Sequence, residues 1–185
     1  MATVTAIPAL EPSEEPEGLY ERVGGEIVEK PGMGAKEAEV AHFLYDLVSP
    51  FVRSRSLGRF FMEMLFRLDS EQKLDRRPDL AFVSNDRWAV ERRDMPGSAW
   101  EVIPDLAVEV ISPGNRSVDD IRKLQEYFRA GVRRVWLIHP ALEMVYIYDS
   151  PTSVKILTRG QALDGGEILP GFSLALDELF PDRSA

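Results

Sequence analysis

The sequence predicts an α/β fold in the order helix, three strands, helix, strand, with a short hairpin in front and a β-rich extension behind. Three observations carry that expectation. Apolar residues recur at helical spacing over residues 34–53 and 118–130, alternation with a period of two runs through 60–68, and short apolar runs at 79–83 and 105–112, the second rich in β-branched residues, resemble strands covered on both faces.

The totals bound the reading. At 185 residues with 44% apolar residues, the chain can bury one substantial core, and a single domain over residues 19–185 is expected. Residues 1–18 hold Glu11, Glu14, Glu15 and Glu17 among prolines, the opposite of a basic, apolar leader, and read as a disordered acidic tail. Cysteine is absent, so disulfides and zinc–thiolate sites are excluded and a reducing cytoplasm is the expected setting. No apolar run approaches the roughly 18 residues of a membrane span. The net charge of −9 argues against broad non-specific nucleic-acid binding, because neutralising phosphates takes a surplus of Lys and Arg. Lys73 with Arg76 and Arg77, Arg92 with Arg93, and Arg133 with Arg134 read as solvated faces.

Residues 19–30 read as strand, turn and strand, with Gly24 and Gly25 at the turn, a small hairpin at a sheet edge. Pro31 and Gly32 break the chain before the first helix, whose apolar stripe is Val40, Phe43, Leu44, Leu47, Val48 and Phe51. After Leu57 and Gly58, a single strand places Phe60, Met62, Met64, Phe66 and Leu68 on one face. Residues 70–77 form a charged turn, and Pro78 leads into the next strand. Residues 84–100 carry Asn85, Pro96, Gly97 and many charges, and read as a lid or partner surface. Trp88, Trp100 and Trp136 are assigned to packing and not to base stacking. A turn at 112–115 closes the central strand, and the second helix follows, with Ser117 as N-cap and Gly131 beyond its end; its stripe is Ile121, Leu124, Tyr127 and Phe128. Strands at 133–139, 143–149 and 154–158 and a capping loop with a short helix complete the chain.

The central strand holds an anomaly. Leu106, Ala107, Val108, Val110 and Ile111 form an apolar run that Glu109 interrupts, and an ionised carboxylate there needs a basic partner, a shared proton or a metal ion. Asp79 on the neighbouring strand is the natural companion, since two acids can hold Mg²⁺ while the ion keeps several waters. Asp105 shares Glu109's strand face, but four residues at about 3.3 Å each separate the two, so Asp105 reads as a strand-start cap. Glu37 lies close to the stripe of the first helix, although an acid in a first turn is also what the helix dipole favours. His42 and His139 are the only histidines, too few and too scattered for a His-based metal site or a Ser-His triad.

Pro78-Asp79, a second strand with Glu109 and a following lysine resemble the PD-(D/E)XK nuclease superfamily, whose core has the element order read above. More closely, the chain resembles a large bacterial family of uncharacterised proteins labelled "putative restriction endonuclease", a domain of unknown function. The matching pieces are Gly25-Glu26, Arg77-Pro78-Asp79, the run from Pro104 to Pro113, Asp120 with Lys123 and Tyr127, Ala130-Gly131-Val132, Val135-Trp136 and Leu169-Pro170-Gly171-Phe172, which together span roughly residues 19–180. The resemblance implies a restriction-endonuclease-like core and a site in which Asp79 and Glu109 hold Mg²⁺ or Mn²⁺, with the Val110 carbonyl and Glu37 as further ligands and Glu26 as an alternative to Glu37. Ile111 stands where the superfamily carries its lysine, and Lys123 on the second helix is the implied replacement, expected to orient the nucleophilic water and help deprotonate it. At about 100° per residue, Lys123 falls at the margin of the expected stripe.

The expected function is metal-dependent hydrolysis of phosphodiester bonds in nucleic acid, DNA before RNA, by a homodimer. Two rival readings remain: a non-catalytic binding or regulatory module on the same scaffold, and a buried Glu109–Lys123 ion pair that only fixes helix on sheet.

Overall fold

The structure, a computed structural model, describes residues 18–88, 99–114 and 117–181. The acidic tail, the middle of the 84–100 excursion and the Arg92–Arg93 cluster lie outside the described residues. The order is β1 (Tyr20–Val23), β2 (Glu26–Glu29), α1 (Ala35–Ser54), β3 (Gly58–Met62), β4 (Phe66–Asp69), β5 (Leu74–Arg76), β6 (Leu80–Ser84), β7 (Leu106–Val110), α2 (Ser117–Ala130), β8 (Arg134–His139), β9 (Met144–Ser150), β10 (Ser153–Leu157), β11 (Ala162–Asp164), β12 (Ser173–Ala175) and α3 (Leu176–Leu179).

The main sheet runs β10-β9-β8-β7-β6-β3. Among the described residues of this sheet only the β7–β8 pair is parallel, and α2 makes the crossover that a parallel pair requires. The central strands are buried on both faces, as their near-continuous apolar runs demand. Alternation divides those runs between two cores. Leu106, Val108 and Val110 join the core that includes α1, whereas Ala107 and Ile111 join the one that includes Leu124 and Tyr127 of α2. The helix, three strands, helix, strand core is therefore α1, β3, β6, β7, α2 and β8, a mixed α/β fold.

Four expectations need correction. Residues 60–68 are not one strand: Glu63 takes φ of 47°, its carbonyl accepts the Arg77 guanidinium at 2.6 Å, and the chain leaves the main sheet to continue as β4 in a second one. That second sheet has the order β2-β1-β5-β4, so the hairpin is its edge. Residues 74–76 are not turn but strand, because Asp75 and Arg76 are buried with partners: Arg67 meets Asp75 at 3.0 Å and Arg76 meets Glu21 at 2.6 Å. Arg76 is thus no part of a solvated face. On α1 the buried face is rotated from the expected one, with Ala41 and Val52 inside and Phe43 and Leu47 outside. On α2, Ile121 is exposed and the buried face centres on Leu124 and Tyr127. Trp88 is buried in a cluster with Trp100 and Phe61, the packing role expected of it.

Candidate active site

Register brings the two acids together. β6 and β7 run antiparallel with Leu80 opposite Val108, so the residue before Leu80 stands opposite the residue after Val108. Asp79 and Glu109 are therefore cross-strand neighbours on the α2 side of the sheet, and both are buried. Asp79 is tied down from two directions. Its Oδ2 accepts the Val110 backbone N–H at 2.7 Å, and its Oδ1 accepts the Lys30 ammonium at 2.7 Å. Glu109 Oε1 accepts the Tyr127 hydroxyl at 2.6 Å and lies 3.8 Å from the Lys123 ammonium.

Lys123 reaches the acids because α2 is turned further than its sequence suggested. With the buried centre midway between Leu124 and Tyr127, Lys123 lies about 70° from it, and its stem runs under the helix edge. Its nearest partner is Glu21 of β1, at 3.1 Å. Glu21 also accepts Arg76 at 2.6 Å and the Arg77 backbone N–H at 3.1 Å, and Arg76 bonds Glu126 on α2 at 2.8 Å. A continuous chain of ionic contacts thus joins the second sheet, α2 and the acid pair.

Burial and neighbouring charges compete in setting the protonation of these groups. Burial pushes the Glu109 carboxyl above the usual carboxylate range; Lys123 and Lys30 oppose the rise, while Asp79 and Glu21 add to it. Glu21 suffers the same desolvation, but Lys123 and Arg76 outweigh it and hold its carboxyl below the usual range. Burial favours a neutral Lys123, yet Glu109 and Glu21 overcome it and raise the amine above its ordinary value. The Tyr127 phenol, buried beside Glu109 and Glu21, is pushed well up and stays a hydrogen-bond donor.

Glu21, Lys30, Arg76, Asp79, Glu109 and Lys123 line one cleft of about 610 Å³, between the hairpin, the start of α1, the start of β6, the end of β7 and the start of α2. Glu37, in the first turn of α1, is buried at its wall, and Glu26 and the backbone position Val110 also line it. Asp105 is elsewhere in role: its Oδ2 accepts the Ser84 N–H at 2.8 Å and its Oδ1 meets Arg87 at 3.2 Å, as a strand-start cap should. His42 and His139 do not line the cleft. Sequence reasoning missed Lys30, Glu21 and Arg76. Lys30 carries no signal beyond standing at the end of a hairpin, and Glu21 sits in a strand too short to show a pattern; only the folded register reveals either.

The donor set suits a hard divalent cation: carboxylates from two adjacent strands, a third from α1 and room for water. Among the described residues no three acidic or histidine side chains already converge as a cage. A metal bound by one or two carboxylates that keeps its waters needs none.

A family model described as "Uma2: Putative restriction endonuclease" matches residues 5–177. The chain belongs to the Uma2 family. Its fold is that of a solved structure described as a putative nuclease belonging to DUF820 from Anabaena variabilis, at a TM-score of 0.78 and 18% identity over 90% of this chain and 92% of that one. No curated protein matches the sequence. Membership of the Uma2 family supports a nuclease function. No helix among the described residues is long and apolar enough to cross a membrane.

Proposed function

We propose that the protein is a metal-dependent endonuclease that hydrolyses phosphodiester bonds in nucleic acid, with DNA as the first substrate to test. The observation that carries this reading is the cross-strand pairing of Asp79 with Glu109 at the wall of the cleft, with the Lys123 ammonium 3.8 Å from Glu109. Asp79 and Glu109 would hold Mg²⁺ or Mn²⁺, with the Val110 carbonyl and Glu37 as further ligands. Bound there, the ion would polarise a phosphoryl oxygen and acidify a water. Lys123, held charged by Glu21 and Glu109, cannot take a proton; its part is to offset the negative charge that grows on the phosphoryl oxygen. Glu109 would serve as a ligand of that ion, and its remaining contacts keep it in place. Tyr127 fixes the Glu109 carboxylate for that task.

The test is nicking of supercoiled DNA by purified protein with Mn²⁺, beside Asp79→Asn and Glu109→Gln. Both substitutions should abolish nicking without loss of helical signal by circular dichroism. No cleavage of any DNA or RNA by the parent, or undiminished cleavage by both variants, refutes the reading. A second reading, a binding or regulatory module without turnover, draws on one observation: both oxygens of Asp79 already have partners. Mn²⁺ titration separates the two, since a module without turnover has no need of the ion. The lack of cysteine agrees with a cytoplasmic location in a bacterium. A homodimer would set two sites against two strands, which sedimentation tests.

A further inference from the structure

We propose that Lys30 is a tethered counter-cation for Asp79, which a divalent ion displaces when it binds. The inference rests on the reading of Asp79 and Glu109 as metal ligands. The Lys30 ammonium donates to Asp79 Oδ1 at 2.7 Å and to the Arg77 carbonyl at 2.7 Å, and its side chain is almost fully covered. With Oδ2 taken by the Val110 N–H, the Asp79 carboxylate has a partner at each oxygen. A Mg²⁺ ion at about 2.1 Å from Oδ1 would share that oxygen with an ammonium, and two positive centres so close repel strongly in a dry wall.

Lys123 does not have this conflict. It stands off Glu109 at 3.8 Å and is anchored on Glu21 at 3.1 Å, so an ion on Glu109 leaves its place intact. Lys30 is also the ammonium with freedom to leave. It follows β2, whose four residues are all exposed, and it precedes Pro31, Gly32 and Gly34, which belong to no helix or strand and line the cleft. Across that cleft Glu37 is buried without a hydrogen-bond or ionic partner among the described residues. The exchange moves one charge out of the Asp79 position and one ion in, and it makes the metal site weak until Lys30 withdraws.

Mn²⁺ affinity of the full chain, read from free Mn²⁺ by electron paramagnetic resonance at fixed ionic strength, tests this with Lys30→Met and Asp79→Asn. Removing the competing charge should tighten Mn²⁺ binding about tenfold or more, and Asp79→Asn should lose it. Equal or weaker binding by Lys30→Met, while Asp79→Asn loses the ion, overturns the displacement and leaves the metal site standing. Binding that Asp79→Asn does not alter overturns both. A measurement on the unaltered chain guards against misfolding of the variant: acetylation of the Lys30 amine, followed by peptide mass spectrometry, should rise when Mn²⁺ is added. Mn²⁺ binding with unchanged Lys30 labelling overturns the proposal.

Discussion

Replacing Arg76 with methionine isolates the ionic chain that braces the cleft. Arg76 is 5% exposed, and its guanidinium lies between Glu21 at 2.6 Å and Glu126 at 2.8 Å. Breaking a buried ion pair from one side costs about 3–5 kcal/mol, because the remaining charge stays dry and uncompensated. Here the orphan is only partial: Glu21 keeps Lys123 at 3.1 Å and the Arg77 N–H, and Glu126 is the more exposed of the two acids. The low end, about 3 kcal/mol, is therefore expected, and at about 2–4 °C per kcal/mol for a chain of this size the midpoint should fall by about 6–12 °C. Thermal melts followed by circular dichroism at pH 7 read it directly. The loss should persist in 1 M salt, since a dry pair is screened little. Acid should narrow it. The carboxyl of Glu21 is held below its usual range, so its pairing stabilises the fold above about pH 4.3 and is lost as pH falls through the lower folded value. A fall of under about 2 °C, or one that vanishes in salt, would show the guanidinium to be solvated and refute the argument.

Glu109→Gln should gain stability relative to the parent as pH rises. Folded Glu109 titrates above the unfolded carboxyl, so the parent gives up stability from about pH 4.3 until the folded group ionises, while a neutral amide does not; a midpoint difference that falls with pH contradicts this. Gly58→Ala should cost about 1–3 kcal/mol or more in urea unfolding, since a Cβ there would stand 2.1 Å from the Val83 carbonyl oxygen and force β3 off β6. A loss under about 0.5 kcal/mol would mean the strands do not pack that closely.

The parts of the fold that the sequence disclosed are those where periodicity and burial coincide. β6 and β7 are covered on both faces, and their apolar runs announced it. Where polar residues are buried in pairs, the pattern misled. Asp75 and Arg76 read as turn because composition cannot show that Arg67 and Glu21 will meet them. Residues 60–68 alternate throughout, yet Glu63 in the left-handed region passes the alternation from one sheet to another without interrupting it. Of the acids, Asp79 and Glu109 were legible as a pair because each sits in or beside an apolar strand, where a carboxylate stands out. Lys30 was not, since an exposed hairpin end gives no hint of which carboxylate lies beneath it.

The position of the cleft lysine follows from the same alternation. Glu109 and Ile111 point to one side of β7, the side on which α2 packs, and Ile111 is buried in the core that includes Leu124 and Tyr127. A lysine at Ile111, where the superfamily resemblance expects one, would put its ammonium among those apolar side chains at a cost of several kcal/mol. α2 covers that face and can supply the charge from its own edge. Lys123 does so one turn before Tyr127, which bonds the same carboxylate, so helix and strand present a donor and an ammonium to one Glu109 oxygen. With an apolar side chain at the strand position under the helix, the ammonium beside Glu109 comes from the helix, and Glu21 on β1 keeps it at the margin of the core without neutralising it.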